Sequence, residues 1–349
     1  MFLTGLDANY VPLMRKAGRE WRERDRREID LFPFFRSKGA NCLRIRIWVG
    51  NSGPSRLPYA MRLAEEAWKA GLKIQPTIFL SDGWADLYKQ PAPKTWASIS
   101  PQHRLKLIES HIFKVVSRLL PSTDKCVYYQ VGNEIDYGIC GIFASNKKKR
   151  KNIRWLKKHV WTHEAAVLKT VIQTIRMCDE EKPIALHLGK WWDPLLAESF
   201  LSAMEEFGVE YGIACFSFYP TMFGANFEPL RELERIAGGK GKTLSIAEYA
   251  YPSSSVKGQF WYMNKPSPGY PLTPEGQSSW VRDFLAQCRR LNLFGAFYWS
   301  PELYLARDYE GSLAEPQEMP LSFGWGPMSF FDRNGCARQV VNSLGNGTS

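Results

Sequence analysis

The chain has 349 residues, 44% of them hydrophobic and 14% aromatic, with a formal charge of +11 from 46 basic and 35 acidic side chains. That is ample material for a large core, and α/β barrels reach this length as one domain. No apolar run approaches the roughly 18 residues of a transmembrane helix, which argues against a membrane span.

The seven cysteines show no CxxC pair and no metal-finger spacing. Cys42, Cys126 and Cys215 lie in apolar, strand-like runs, which predicts free buried thiols behaving as small hydrophobes. The basic residues gather in RKAGREWRERDRRE (15–28) and KKKRKNIRWLKK (147–158). The first run is interleaved with acids and reads as a solvated helix face. The second is a local positive patch, but no nucleic-acid motif accompanies it, so no nucleic-acid partner is expected.

Taken in chain order, eight strand-like segments appear. They are FLTGLDA (2–8), NCLRIRIWV (41–49), LKIQPTIFL (72–80), KCVYYQVGNE (125–134), PIALHLG (183–189), YGIACFSFYP (211–220), TLSIAEYAY (243–251) and LFGAFYWS (293–300). Between them, helical patterns occupy 28–38, 57–70, 101–119, 162–178, 194–206, 226–236 and 274–291. Ser100-Pro101 and Thr273-Pro274 each supply an N-cap followed by proline at the first helical position. Alternating strands and helices predict parallel pairing. Eight such units, with no glycine-rich phosphate loop after the first strand, predict a closed (β/α)8 TIM barrel. The barrel is expected over 1–342, with SLGNGTS (343–349) as a disordered tail carrying an incidental Asn346-Gly347-Thr348 sequon. MFLTGLDANY leads directly into the first strand without a visible secretory leader.

The longest βα loops follow strands four, seven and eight, over 135–161, 249–273 and 300–335. Loops after strand C-termini project over the face where barrels of this kind place their chemistry. These carry Trp155, Trp161, Phe260, Trp261, Tyr262, Tyr304, Tyr309 and Trp325. Flat rings with a polar edge suit sugar faces, and they equally form satellite cores under long loops.

At the strand tips stand Asn133-Glu134 on the fourth, Glu248 on the seventh and Tyr298-Trp299 on the eighth. The second strand carries Arg44, Arg46 and Trp48 at period two, opposite Leu43, Ile45 and Ile47. Buried arginines require carboxylate partners, which argues for an acid-rich barrel mouth. Two glutamates on opposite sides of that mouth form the pair that glycoside hydrolysis needs. One protonates the leaving oxygen while the other attacks the anomeric carbon, and retention goes with a separation of about 5–5.5 Å. The acid requires a raised pKa and the nucleophile an ionised carboxylate, so their surroundings should differ. His187, near the end of strand five, reads equally as a sugar ligand or a buried hydrogen-bonder. Asp7, Asp82 and Asp86 are secondary acids. His159, His163 and Glu164 lack the HExxH pattern of a zinc helix, and neither a GxSxG elbow nor an acidic calcium loop occurs. No metal and no cofactor are expected.

These residues resemble the glycoside hydrolase family 53 galactanases, within the clan of retaining (β/α)8 glycosidases. The resemblance runs through Gly5-Leu6-Asp7, GANCLRIRIW (39–48), SDGWADLYKQPAPKTW (81–96), YYQVGNEID (128–136), ALHLG (185–189), SFYP (217–220), AEYAYP (247–252) and FYWSP (297–301). It implies Glu134 as acid/base and Glu248 as nucleophile, with Asn133 at the sugar hydroxyl next to the anomeric carbon. Arg44, Arg46, Asp82, Trp84, His187, Tyr219 and Trp299 would support or line the cleavage subsite. The implied reaction is endo-hydrolysis of β-1,4-galactan, a carbohydrate side chain of pectin. The implied location is extracellular if a leader has been removed, and cytoplasmic otherwise.

The chain departs from the family pattern at Phe79-Leu80, where a histidine and tyrosine are usual, and at Tyr249, where a threonine follows the nucleophile. Phe218 replaces the first tyrosine of a pair, Thr221-Met222-Phe223-Gly224 a tryptophan region, and Ser300 a glutamate. These changes leave two alternatives, a clan relative cleaving another β-linked glycan and an inactive carbohydrate-binding barrel. The basic run at 147–151 could border the cleft and attract anionic pectic chains, or be a solvated loop. Oligomeric state is not indicated.

Overall fold

The computed structural model describes residues 1–304 and 325–345. Eight parallel strands close a barrel: β1 Leu3–Asp7, β2 Cys42–Ile47, β3 Lys73–Ile78, β4 Tyr129–Val131, β5 Ile184–Leu188, β6 Ile213–Phe218, β7 Thr243–Tyr249 and β8 Gly295–Trp299. Each strand pairs with its neighbours in sequence, and β8 closes on β1 in register from Leu3↔Gly295 to Asp7↔Trp299. All eight are covered on both faces, which is why they read as near-continuous apolar runs.

The expected helices form at Leu31–Ser37, Leu57–Lys69, Pro101–Leu119, Thr162–Cys178, Pro194–Glu206, Glu228–Gly238 and Pro274–Arg290. The Ser100 hydroxyl accepts from the His103 amide and Thr273 Oγ1 from the Gly276 amide, so both proline-bearing starts are capped. Trp280 and Phe284 of the last helix seat against Tyr249, with ring centroids 6.2 and 4.5 Å away.

Inside the barrel, a floor of Leu3, Cys42, Tyr128, Ile213, Cys215 and Phe297 seals the N-terminal end. Gly5 is required here, because a Cβ on it would lie 2.1 Å from the Phe297 ring. Toward the strand C-termini the lining turns polar, with Arg44, Gln75, Thr77, Gln130, His187 and Ser217 all buried. Leu43, Ile45 and Ile47 face the outer core, so β2 divides as its alternation predicts.

Strand β7 breaks that alternation. Phe216 pairs with Ile246 but Ser217 pairs with Glu248, and Ala296 pairs with Ile246 but Tyr298 with Tyr249. One extra residue, Ala247, is therefore bulged relative to both neighbours. Leu244 and Ile246 belong to the outer core, and strict period two would send Glu248 outward with them. The bulge turns Glu248 inward beside Ala247, the re-aiming that bulges provide next to active sites.

Two expectations need correction. Residues 15–28 are not a helix face: the first helix, Val11–Lys16, stops before Gly18 with its φ of +69°, and an irregular segment follows. Trp21 anchors that segment, buried with its Nε1 donating to the Glu302 carbonyl. Ser343 and Leu344, expected in a disordered tail, are instead buried. Tyr309 and the Asn346 sequon lie outside the described residues.

Candidate active site

Arg44 organises the barrel mouth. Its Nη1 donates to Asp7 Oδ2 at 2.5 Å and to Glu248 Oε1 at 2.9 Å, and its Nη2 to Asn133 Oδ1 at 2.8 Å. A fully buried guanidinium is tolerated only with such charge-matched, hydrogen-bonded partners. Arg46 lies beside it, 3.5 Å from Asp7 and 3.1 Å from the Tyr10 hydroxyl, with its guanidinium over the rings of Tyr10 and Trp84. The arginine stripe of β2 thus meets Asp7, at the end of β1, and Glu248.

Glu134 follows β4 in the left-handed region, with φ of +50°. A non-glycine residue pays about 1 kcal/mol there, and its surroundings impose it. The Ile135 amide bonds the His187 carbonyl, and Gln90 Nε2 donates to the carbonyls of Asn133 and Glu134. The carboxyl is held by the Ser217 hydroxyl at 2.6 Å and the Leu87 amide at 3.0 Å. Burial, then the nearby charges of Glu248 and Asp86, push its pKa up to about 8, against the two hydrogen bonds. At neutral pH it therefore carries a proton it can give.

Glu248 has a contrasting environment. Burial raises its pKa, but Arg44 and the Tyr219 hydroxyl, 2.8 Å from Oε2, favour the carboxylate. Among the described residues Glu134 has no cation in contact, whereas Glu248 has a guanidinium and a phenol. The two carboxyls therefore differ in what surrounds them, the contrast that an acid and a nucleophile require.

Behind Glu134 runs a chain of hydrogen bonds. Ser217 Oγ lies 3.0 Å from His187 Nε2, and His187 Nδ1 lies 3.2 Å from Asn133 Oδ1. Burial and the charge of Arg44 hold His187 well below its usual pKa, so the ring is neutral. Gln130 adds contacts to both Arg44 and His187.

Glu134 and Glu248 line one cavity of about 330 Å³. Trp84, Tyr219, Trp299 and Trp325 form its aromatic walls, and Trp299 meets Trp325 edge-on at 4.3 Å. Phe260, Tyr262 and Met263 from the β7 loop and Asp86, Leu87, Tyr88 and Lys89 from the β3 loop also line it, with Gly189, Trp192 and Met222. Of the residues singled out in the sequence, Glu134, Glu248, Trp84, Asp86, Tyr219, Phe260, Tyr262, Trp299 and Trp325 are brought together on this surface. Arg44, Arg46, Asn133 and His187 lie behind it as fully buried supports. Asp82 is set apart, its carboxylate accepting from the Lys94 amide. Trp161 is buried against the Asp136 carbonyl, Trp155 stacks on His159, and Tyr304 bonds Glu20, so these long-loop aromatics are structural.

The departures also sort themselves. Phe79 packs with Trp48 and Trp84, at 6.3 and 5.9 Å, beneath the cavity wall. It does not itself line the cavity. Tyr249 faces the outer core and is absent from the cavity. Ser300 has φ of +49°, and a glutamate two residues later, Glu302, is buried near Arg46 and accepts from the Tyr10 amide. Sequence reasoning did not single out Ser217, Gln130, Gly189 or Trp192. Ser217 alternates with Cys215 along β6, which was the available signal for its inward side chain.

The 540 Å³ depression around Glu205 and Tyr211 and the 690 Å³ one beside Met61 and Phe113 contain none of these groups. Among the described residues no helix is long and apolar enough to cross a membrane.

A family model, Glycosyl hydrolase family 53, matches residues 3–344. The chain is 27% identical to an uncharacterized protein in the bgaB 5' region of Niallia circulans, over 98% of this chain and 93% of the relative. It is 24% identical to an endo-beta-1,4-galactanase of Bacillus subtilis, over 86% of this chain and 70% of that one. In three dimensions it is similar to the GH53 catalytic domain of Ignisphaera aggregans, with TM-score 0.82 and 22% identity over 100% of this chain and 96% of that chain. The closed barrel, the acid pair at the tips of β4 and β7 and a match spanning nearly the whole sequence converge: this chain belongs to glycosyl hydrolase family 53.

Proposed function

We propose that the chain is an endo-β-1,4-galactanase-like retaining hydrolase in which Glu134 is the acid/base and Glu248 the nucleophile. The observation that carries this reading is the contrast between the two carboxyls. Glu134 is pushed up to about 8 with no cation in contact among the described residues, while Glu248 is bound by Arg44 and Tyr219 in the same cavity. The galactanase relatives supply the substrate, β-1,4-linked galactan.

In the first step protonated Glu134 gives its proton to the glycosidic oxygen as Glu248 attacks the anomeric carbon. The bond to the leaving sugar breaks and a glycosyl ester forms on Glu248. In the second step Glu134, now a carboxylate, takes a proton from water, and that water's oxygen displaces Glu248. Two inversions return the original anomeric configuration. Asn133 uses one amide hydrogen on the Ala85 carbonyl, which leaves the second available to a sugar hydroxyl. Trp299 and Trp84 offer rings to the sugar faces.

The test is product analysis on a panel of β-linked glycans. Galactan should yield oligosaccharides with the β-anomer formed first. Cleavage of a different glycan alone would reassign the substrate, and the α-anomer would exclude the retaining mechanism.

A further inference from the structure

One wall of the cavity continues outward as a ladder of alternating rings and cations. Trp192 lines the cavity, and the Lys190 ammonium lies 5.9 Å from its ring centroid. Lys190 also lies 5.8 Å from the ring of Tyr137, and the Arg150 guanidinium lies 4.8 Å from that ring and 4.7 Å from Phe143. The order is Trp192, Lys190, Tyr137, Arg150, Phe143. Arg150 is fixed by its Nε bond to the Ala144 carbonyl, and its charge reaches the Tyr88 hydroxyl on the cavity rim. Lys89 lines the cavity itself.

The charge balance of this wall is one-sided. Lys190 pairs with Asp193 at 2.6 Å and also bonds the Tyr137 hydroxyl, which leaves one of its three ammonium hydrogens. Two other acids at hand are already engaged: Asp136 accepts from the amides of Gly189 and Lys190, and Asp86 from Trp84 Nε1 and the amides of Tyr88 and Lys89. Among the described residues Lys89 and Arg150 have no carboxylate partner, and neither do Lys147, Lys148, Lys149 and Lys151 beside them. Stacked cations keep their charge while their side chains are held in place, so little order remains to be lost on binding an anion.

The wall's position assigns its role. Gly189 touches the Glu134 carboxyl and Lys190 follows it directly, so the ladder starts beside the proton donor. In the reading proposed above, Glu134 reaches the leaving-group oxygen, and the sugar next to this wall is on the leaving side. We propose that Trp192, Lys190 and Arg150, together with Lys89, form a leaving-side subsite for a carboxylate-bearing sugar, a uronic acid. A neutral sugar stacks on Trp192 there, and a uronic acid adds its carboxylate to the cations. This rests on the hydrolase reading and narrows its substrate.

The experiment compares two probes, β-1,4-galactotriose and its counterpart with galacturonic acid at the reducing end. At low ionic strength kcat/KM should favour the anionic probe by about fivefold, and the preference should fade as salt is raised. Lys190→Gln and Lys89→Gln should each lower the anionic-to-neutral ratio, and Lys190→Glu should bring it below one. Lys89 is exposed, so its variant reports even if the Lys190 changes disturb the loop. A ratio at or below one in the unmodified protein would overturn the subsite, as would a preference unaffected by both glutamine variants. Calorimetric binding of the two probes to Glu248→Ala protein separates the two layers. If neither probe is cleaved the hydrolase reading fails, while a salt-dependent difference in Kd, or its absence, still decides the subsite.

Discussion

Gly189 lies directly against Glu134: a Cβ built on the glycine would come within 2.8 Å of the Glu134 carboxyl carbon. The glycine amide meanwhile donates to Asp136 Oδ2 at 2.7 Å, so the backbone there cannot easily retreat. Gly189→Ala should therefore push the proton donor out of line while the barrel folds normally. A displacement of this kind costs up to about 100-fold in rate. Steady-state kinetics should show the loss in kcat, with an unchanged circular dichroism spectrum. Full activity would mean that Glu134 is not held where the reaction needs it.

The pKa of Glu134 has consequences for rate and for stability. Turnover needs it protonated, so kcat/KM should fall as pH rises through about 8. In the same window the folded protein holds a proton that the unfolded chain, with an ordinary carboxyl, has lost. Stability must then decline as pH rises from the ordinary carboxylate range through the folded pKa. Glu134→Gln mimics the protonated form and escapes the decline. Its melting temperature relative to the unmodified protein should rise by a few degrees between acid and mildly alkaline pH. A pH-independent difference would refute the raised pKa.

Tyr219 donates to Glu248 Oε2, so Tyr219→Phe removes one of three groups that favour the carboxylate, beside Arg44 and Arg46. Glu248 should then protonate at higher pH, moving the acidic limb of the rate profile upward. The loss in kcat is expected to be about 10- to 100-fold, with stability little changed. An unmoved acidic limb would show that Tyr219 does not act through Glu248.

Arg44 should weigh on stability as well. Arg44→Met leaves buried Glu248 without its ion-pair partner, Asp7 with only the more distant Arg46, and Asn133 without its guanidinium donor. Removing one partner of a buried pair costs about 3–5 kcal/mol. Urea denaturation of the variant should show that loss, and a stability equal to the parent would mean the network is not needed for folding.

The barrel was legible because its signals are repetitive: eight apolar strands, seven helical patterns, and Ser100 and Thr273 placed as caps. Arg44 and Arg46 announced a charged interior by occupying alternate positions of an otherwise apolar strand. What stayed hidden depends on contacts between distant segments. Nothing in TLSIAEY reveals the bulge at Ala247 that turns Glu248 inward, since the misfit exists only against β6 and β8. Gly189 reads as an ordinary strand end until Glu134 is placed beside it. Tyr249 and Phe79 stood out as departures near the chemistry, yet one faces the outer core and the other lies under Trp84. Sequence adjacency to a catalytic residue is a poor guide to distance across a strand, because neighbouring side chains point to opposite faces.

The central claim, that Glu248 forms a covalent bond to the sugar while Glu134 handles the proton, is open to direct trapping. The probe is a β-galactobioside with an activated aryl leaving group and fluorine in place of the hydroxyl beside the anomeric carbon. The good leaving group allows the first step, and the fluorine slows hydrolysis of the ester. Mass spectrometry of the digested protein should find one glycosyl adduct, on the peptide bearing Glu248, and none in Glu248→Ala protein. An adduct on any other residue, or turnover of the natural substrate by Glu248→Ala at the parental rate, would contradict it.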